Sequence, residues 1–267
     1  MIELPAWTGT ELLWMRILLG ALLLRFNRVP RPSDLTAPVG LSTLINLNPL
    51  VRIRGFDRLG LLLVPLFAAG VAQPLPAVGL AMVLLVTVTL DVSSGAVSHG
   101  RHLMVLVLLA NAVAETVYWL DREFEFDWTL EPDLAPTWSV QLIAAMYFTA
   151  GAMKVVNTGG MWMARSPRFE LQVLKGDYNA SRKQQPIADQ FTAFARRHPS
   201  VIRVAAVGGL ALELLTPLAL FHPVAMFIVG VSLIVLHRAN GALLQLPFSQ
   251  NQGIVAIYMV LFSLPLG

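Results

Sequence analysis

The sequence predicts an all-α protein, a polytopic bundle of transmembrane helices with about eight spans and both termini outside. Composition is the first reason. Of the 267 residues, 56% are hydrophobic and only 13% are charged, which is too few charges to cover the surface of a soluble globule, and the mean hydropathy is +0.66. The other two reasons are a series of apolar runs near membrane length and an alternation of charge between them.

A helix needs roughly 17 to 25 apolar residues to cross a bilayer, and the chain carries about eight runs near that length. They cover residues 10–24, 59–72, 75–90, 102–120, 138–156, 201–221, 223–237 and 252–266. Within the uncharged stretch 59–90, Gln73-Pro74-Leu75-Pro76 predicts a turn between two helices, because proline disfavours helix in the residue before it. We expect residues 1–267 to form a single transmembrane domain.

Lysine and arginine concentrate in every second connection between the runs. The connection after the first run carries Arg25, Arg28, Arg31, Arg52, Arg54 and Arg58, and that after the fifth carries Arg165, Arg168, Lys175, Arg182, Lys183, Arg196 and Arg197. The segment between the fourth and fifth runs is instead rich in carboxylates. Because basic connections stay on the cytoplasmic side, eight spans with both termini outside fit every connection. The sequence pI near 9.6 therefore indicates topology, and we expect no nucleic-acid partner.

The connection at about residues 157–200 is predicted to be cytoplasmic and to contain an amphipathic helix. Ile187, Phe191 and Phe194 recur at helical spacing, followed by Arg196 and Arg197. Such a helix can lie in the headgroup plane, with membrane lipid as its partner, or pack on the base of the protein's own bundle. Both interpretations remain open.

Lys154 is the most informative residue, because it is the only ionisable group between Trp138 and Val156. A charge in a membrane-length segment faces a bundle interior, a cavity or a partner charge, unless the lysine lies at a helix end and extends its ammonium to the headgroups. Glu213 is a carboxylate in the middle of the sixth run, on one helix face with Gly209 and Thr216. Since a buried carboxylate requires a cation, we expect the helices of Lys154 and Glu213 to pack against each other, with Gly209 allowing a close helix approach.

Three histidines, His99, His102 and His237, lie at the predicted depth of Lys154. They favour a polar pocket in which an imidazole donates, accepts or shuttles a proton beside the lysine. His99 and His102 with Asp91 upstream have helical spacing for a metal ion but no clear third ligand, so we predict no metal site. With no cysteine in the chain, redox chemistry would require a bound cofactor.

Three further ionisable groups lie near the apolar runs. Glu115 shares a helix face with Asn111 and Tyr118 and is expected to be solvated near the outer side. Glu11 and Arg16 are expected to be interfacial or to compensate each other. We assign these three groups no chemistry.

Two segments carry a family resemblance. Tyr147-Phe148-Thr149-Ala150-Gly151-Ala152-Met153-Lys154, followed by Trp162, resembles the aromatic-x-Ala-Gly-x-x-Lys…Trp stretch of the vitamin K-dependent gamma-carboxylase membrane region. The same stretch is found in its bacterial relatives, the horizontally transferred transmembrane (HTTM) domain proteins. Glu213-Leu214-Leu215-Thr216-Pro217 is similar to the Glu-Leu-apolar-x-Pro stretch of a later helix in that family. The resemblance runs from Asp91 to the C-terminus.

The resemblance implies a quinone or hydroquinone site in an integral protein of a bacterial or archaeal cytoplasmic membrane. In the carboxylase the lysine is held to deprotonate or stabilise reduced vitamin K, and that role falls on Lys154. The family's pocket histidine falls on His99 or His102, and Glu213 completes the candidate catalytic set. Tyr147, Lys154, Trp162 and His237 are the candidate cofactor-binding residues. Glutamate carboxylation is not implied, because no large soluble domain follows the last run.

Lys154 has two chemical roles open to it. A lysine in an apolar bundle can act as a base, whereas contact with Glu213 would make it a fixed positive charge. The function favoured is redox-coupled proton chemistry on a lipophilic cofactor. The alternative is a non-catalytic membrane subunit, with an unidentified protein partner, or a small transporter; in either, Lys154 and Glu213 form a structural ion pair.

The predicted topology can be tested with reporter fusions at Lys175 and Glu125. The two positions are expected on opposite sides of the membrane, because one lies in a basic connection and the other in an acidic one. Activity of a cytoplasmic reporter at Lys175 and of a periplasmic reporter at Glu125 is the expected result. Both fusions reporting one side would contradict the eight-span topology.

Overall fold

The described residues of the computed structural model are 7–26, 56–93, 99–126, 128, 130–161, 190, 193–194, 197–244 and 248–264. Their secondary structure is helical and includes no strand, which confirms the predicted all-α fold class. Trp162 and most of the expected amphipathic connection lie outside the described residues.

A helix lies at each predicted apolar run. The helices are α1 (Gly9–Phe26), α2 (Phe56–Ala68), α3 (Leu75–Ser93), α4 (His99–Phe124), α5 (Leu134–Thr158), α6 (Pro199–Leu215), α7 (Pro223–Leu244) and α8 (Ser249–Val255). A 3₁₀ turn, Thr216–Leu220, follows α6, and a π-helical turn, Ala256–Val260, follows α8.

Four of the helical segments are long and apolar enough to cross a membrane. They are Arg101–Phe124, Leu134–Thr158, Pro199–Leu220 and Pro223–Ala242. Leu59–Ala68 and Leu75–Thr89 are apolar but shorter. Length and composition together mark the chain as a helical membrane protein.

The start of α1 corrects one expectation about charge. The Glu11 carboxylate accepts a hydrogen bond from the Thr8 backbone N–H at 2.7 Å, and the Thr8 hydroxyl accepts one from the Glu11 N–H at 3.3 Å. This reciprocal capping box satisfies two N–H groups at the helix start. Glu11 is therefore a helix cap, and Arg16 pairs with Glu115 instead. The expectation of mutual compensation between Glu11 and Arg16 is wrong, and their interfacial position stays a prediction.

The turn between α2 and α3 begins earlier than the prolines alone predicted. Turn geometry covers residues 69–74, and Pro76 lies in the first turn of α3, where its missing N–H does not disturb the helix. Gly70 has a φ of +68°, a left-handed conformation in which glycine carries no steric penalty. The Gln73 side chain donates to the carbonyl of Phe67 and ties the turn back to α2.

The described chain divides into two compact units, and their boundary lies inside α5. The first unit falls within Pro5–Leu142 and contains α1 to α4. Here Arg16 of α1 forms a salt bridge with Glu115 of α4, and Glu115 is only 7% exposed. Glu115 is thus buried, and Arg16 is the partner cation that stabilises its carboxylate. The expectation that Glu115 is solvated is wrong. Asn111, one turn earlier on α4, donates to the hydroxyl of Ser139 at 3.0 Å.

The second unit falls within Ile143–Leu264, and glycines set the spacing of its helices. A Cβ on Gly209 of α6 would lie 3.0 Å from the Leu236 side chain of α7, which confirms the predicted close approach. A Cβ on Gly151 of α5 would lie 3.0 Å from the Cβ of Glu213. A Cβ on Gly230 of α7 would lie 2.9 Å from the Cβ of Met259 in the π-helical turn.

Replacing Gly151 by alanine should destabilise the protein by about 1–3 kcal/mol, because the added methyl group overpacks a contact between backbone-proximal atoms. Gly208→Ala is the matched control, since a Cβ there meets no atom within 4 Å. The control should be neutral or more stable by about 0.5–1 kcal/mol, since alanine favours helix over glycine. Thermal unfolding in detergent measures both variants, and equal stability would contradict the close approach at Gly151.

Candidate functional site

The centre of the candidate site is an ion pair between Lys154 of α5 and Glu213 of α6. The Lys154 ammonium donates to both carboxylate oxygens of Glu213, with Nζ–Oε1 and Nζ–Oε2 distances of 2.6 and 2.5 Å. The Lys154 side chain is 36% exposed and that of Glu213 is 12% exposed. The predicted contact between these two helices is confirmed.

The local sequence explains why the two charges meet. Gly151 lies one turn before Lys154 and presents no side chain to α6, so the Glu213 Cβ packs directly over α5. At that distance the lysine and glutamate side chains are long enough to join. The glycine of the Ala-Gly-x-x-Lys segment is therefore explained by sterics, because a side chain at position 151 would crowd Glu213 of α6.

Glu213 lies at the point where α6 ends. Pro217 has no N–H to give to the Glu213 carbonyl four residues earlier, so α6 cannot continue as a regular helix. The Thr216 hydroxyl donates to the carbonyls of Leu212 and Glu213 at 3.0 and 2.9 Å and satisfies these groups. The Glu-Leu-Leu-Thr-Pro segment thus fixes the carboxylate at the end of a helix.

A second polar cluster lies on the same face of α5. Tyr147 is two turns before Lys154, and its hydroxyl lies 2.5 Å from Nε2 of His237 on α7. The side chain of Asn251 on α8 also forms a hydrogen bond with Tyr147. Tyr147, His237 and Asn251 are 7%, 5% and 6% exposed. The Phe248 ring stacks on the imidazole with ring centroids 4.7 Å apart.

Two polar atoms of this cluster have no hydrogen-bond partner. They are Nδ1 of His237 and Oδ1 of Asn251, both buried. An unpartnered buried donor or acceptor costs about 1–3 kcal/mol, so such atoms call for a physical explanation.

Cavities adjoin both clusters. One of about 90 Å³ is lined by Lys154, Glu213, Asn240 and apolar residues of α6 and α7. The other, of about 580 Å³, is lined by His237, Phe248 and neighbouring residues of α7 and α8. The volume of the second lies within the usual range of ligand-binding pockets.

The predicted site residues are brought together in part. Lys154 contacts Glu213, and Tyr147 contacts His237, within the second unit. Tyr147 and Lys154 lie two turns apart on α5, so one helix carries a member of each contact.

His102 belongs to the first unit and is half-buried. The side chain of His99 and all of Trp162 lie outside the described residues. The grouping of His99 and His102 with Lys154, and the role of Trp162, stay predictions. Among the described residues there is no group of three or more His, Asp or Glu side chains arranged to hold a metal ion.

Phe248 and Asn251 were not among the predicted site residues. Their sequence signal is the polar run Ser249-Gln250-Asn251-Gln252 directly before an apolar segment, in which Gln250 and Asn251 are buried. Uncharged polar side chains that enter a helix core need partners there, so the run itself indicated a polar interior.

Comparisons with known proteins found no matching family model, no matching curated protein and no matching solved structure.

The ion pair predicts a specific pattern of stability. Lys154→Met leaves Glu213 without its cation and should cost at most about 3 kcal/mol, the low end of the range for a broken buried pair, because the Lys154 side chain is 36% exposed and water reaches the site. The double variant Lys154→Met/Glu213→Gln removes both charges and should recover most of that loss. Thermal unfolding of the wild type, both single variants and the double variant gives the coupling free energy. Additive effects of the two changes would contradict the pair.

Proposed function

We propose that the protein is an eight-span integral membrane protein, with both termini outside, that binds a quinone and carries out redox-coupled proton chemistry. The class proposed is that of the gamma-carboxylase-like and HTTM-domain membrane proteins. One observation carries the proposal. A buried Tyr147–His237 hydrogen bond borders a cavity of about 580 Å³, and Tyr147 lies two turns before Lys154 of the ion pair on α5.

The residues around the larger cavity suit a quinone ring. The ring of Phe248, which stacks on His237, offers a flat apolar surface at the cavity, and Val235, Ala239 and Ala242 add apolar lining. Arg238, Ser249 and Gln252 also line this cavity and add polar groups to it. A mostly apolar cavity with a few polar groups is the usual form of a small-molecule site. An isoprenoid tail would dissolve in the surrounding bilayer.

A bound quinone would supply a reversible couple of two electrons and two protons. Lys154 would contribute a fixed positive charge, because its ammonium is held by both oxygens of Glu213. This contact favours the electrostatic role of Lys154 over the role of a base.

Tyr147 and His237 are the groups placed to move a proton. The hydroxyl oxygen and Nε2 are 2.5 Å apart, so a proton can pass between them along an existing hydrogen bond. Burial of both side chains excludes bulk water from that bond.

A second function is favoured by the geometry of the ion pair itself. Because Lys154 contacts both oxygens of Glu213, the pair is well arranged to join α5 and α6 mechanically. In this alternative the protein is a non-catalytic membrane subunit or a small transporter, and the pair is structural.

The two functions differ in what happens when both charges are removed. The Lys154→Met/Glu213→Gln variant is expected to remain folded and to bind decylubiquinone about tenfold or more weakly, as expected for loss of an interaction with a charged group. Isothermal titration calorimetry of purified protein in detergent measures the affinity.

The control for this experiment removes the other ion pair. Arg16→Met/Glu115→Gln eliminates a salt bridge of the first unit and should leave the affinity for decylubiquinone unchanged. Equal affinity in the wild type and the Lys154/Glu213 double variant would favour the structural alternative. Absence of binding to the wild type would contradict the proposed function.

A further inference from the structure

The hydrogen bonds of Tyr147 determine which nitrogen of His237 carries the proton. Oδ1 of Asn251 has no partner, so the bond from Asn251 to Tyr147 uses Nδ2, which can only donate. The Tyr147 oxygen therefore accepts from Asn251. The Tyr147 hydroxyl proton has one acceptor available among the described contacts of Tyr147, which is Nε2 of His237 at 2.5 Å.

The alternative direction is unfavourable. If His237 donated from Nε2, the Tyr147 oxygen would accept two hydrogen bonds and its proton would be left buried without an acceptor, at the usual cost of an unsatisfied donor. Tyr147 thus donates to Nε2, and neutral His237 carries its proton on Nδ1.

This tautomer gives the cluster an unmatched donor and an unmatched acceptor. The Nδ1–H of His237 has no acceptor, and Oδ1 of Asn251 has no donor. His237 also lines the cavity of about 580 Å³. Because Nδ1 is itself buried, a ligand reaches it only after the surrounding side chains shift. Phe248 both stacks on the imidazole and lines the cavity, so its ring is the one placed to move.

We propose that His237 donates from Nδ1–H to a ring carbonyl of the ligand in this cavity, and that Tyr147 and Asn251 hold His237 in the required tautomer. The ligand class is an aromatic or quinonoid ring that carries a carbonyl oxygen. Tyr147 and Asn251 act through His237 and are positioning residues. The inference rests on the proposed function in one respect, since it takes the quinone as the ligand.

The test uses the full-length protein with ¹⁵N-labelled histidine, and NMR reports the protonation of each ring nitrogen. The His237 signals are assigned by their loss in His237→Gln. Without ligand, Nδ1 should carry the proton, although a free neutral histidine prefers Nε2–H. Addition of 1,4-naphthoquinone should shift the Nδ1 signal, and naphthalene, which has no carbonyl, should not shift it.

Two variants separate the positioning role from packing. Tyr147→Phe keeps the ring but removes the hydroxyl, and should weaken naphthoquinone binding about tenfold, the effect of one hydrogen bond. In Asn251→Asp, the ionised carboxylate can only accept a hydrogen bond, so Tyr147 would donate to it. The Tyr147 oxygen would then accept from His237, and the His237 proton should move to Nε2. Tyr118→Phe removes a hydroxyl from the first unit and should change neither signal nor affinity.

The outcomes distinguish this inference from the proposed function. An Nε2–H tautomer in the wild type overturns the inference, as does naphthoquinone binding with no change at Nδ1, and both leave quinone binding itself intact. Failure of the wild type to bind any quinone overturns the proposed function and the ligand assignment together. A shift at Nδ1 that is lost in Tyr147→Phe supports the inference.

Discussion

The contact between Lys154 and Glu213 is the constraint on which the second unit depends. Each charge alone would be costly in an apolar bundle, and the pair is favourable only when geometry is good and the helices come close. Gly151 permits that approach, because a Cβ there would lie 3.0 Å from the Cβ of Glu213. Thr216 and Pro217 end α6 within about one turn of the carboxylate. One electrostatic requirement thus accounts for a glycine, a threonine and a proline in two separate segments.

The sequence predicted the helices well, because apolar runs of membrane length require internally satisfied backbone groups. It also predicted the Lys154–Glu213 contact, since each charge lay in an apolar run and required a partner. The partner of Arg16 was not predictable in the same way. Glu11 is nearer in sequence, and only the packing of α1 in the first unit selects Glu115. The Thr8-x-x-Glu11 spacing was nevertheless a readable capping signal.

The cluster of Tyr147, His237 and Asn251 was predicted only in part, for a physical reason. Its members come from three helices separated by long stretches of chain, and the rotation of each helix about its axis decides which side chains meet. Hydropathy specifies that a helix can cross a membrane and leaves that rotation open. Close contacts at Gly209 and Gly230 help to fix α7 against α6 and the π-helical turn, and these contacts belong to the fold as a whole.

The most direct test of the account is the quinone content of the purified wild-type protein. Protein isolated in mild detergent is extracted into organic solvent, and the extract is analysed by chromatography with mass detection. The account predicts an isoprenoid quinone in amounts approaching one molecule per chain, which a protein with no quinone site would not retain through purification. An extract with no more quinone than that of an unrelated membrane protein purified in parallel would contradict the central claim.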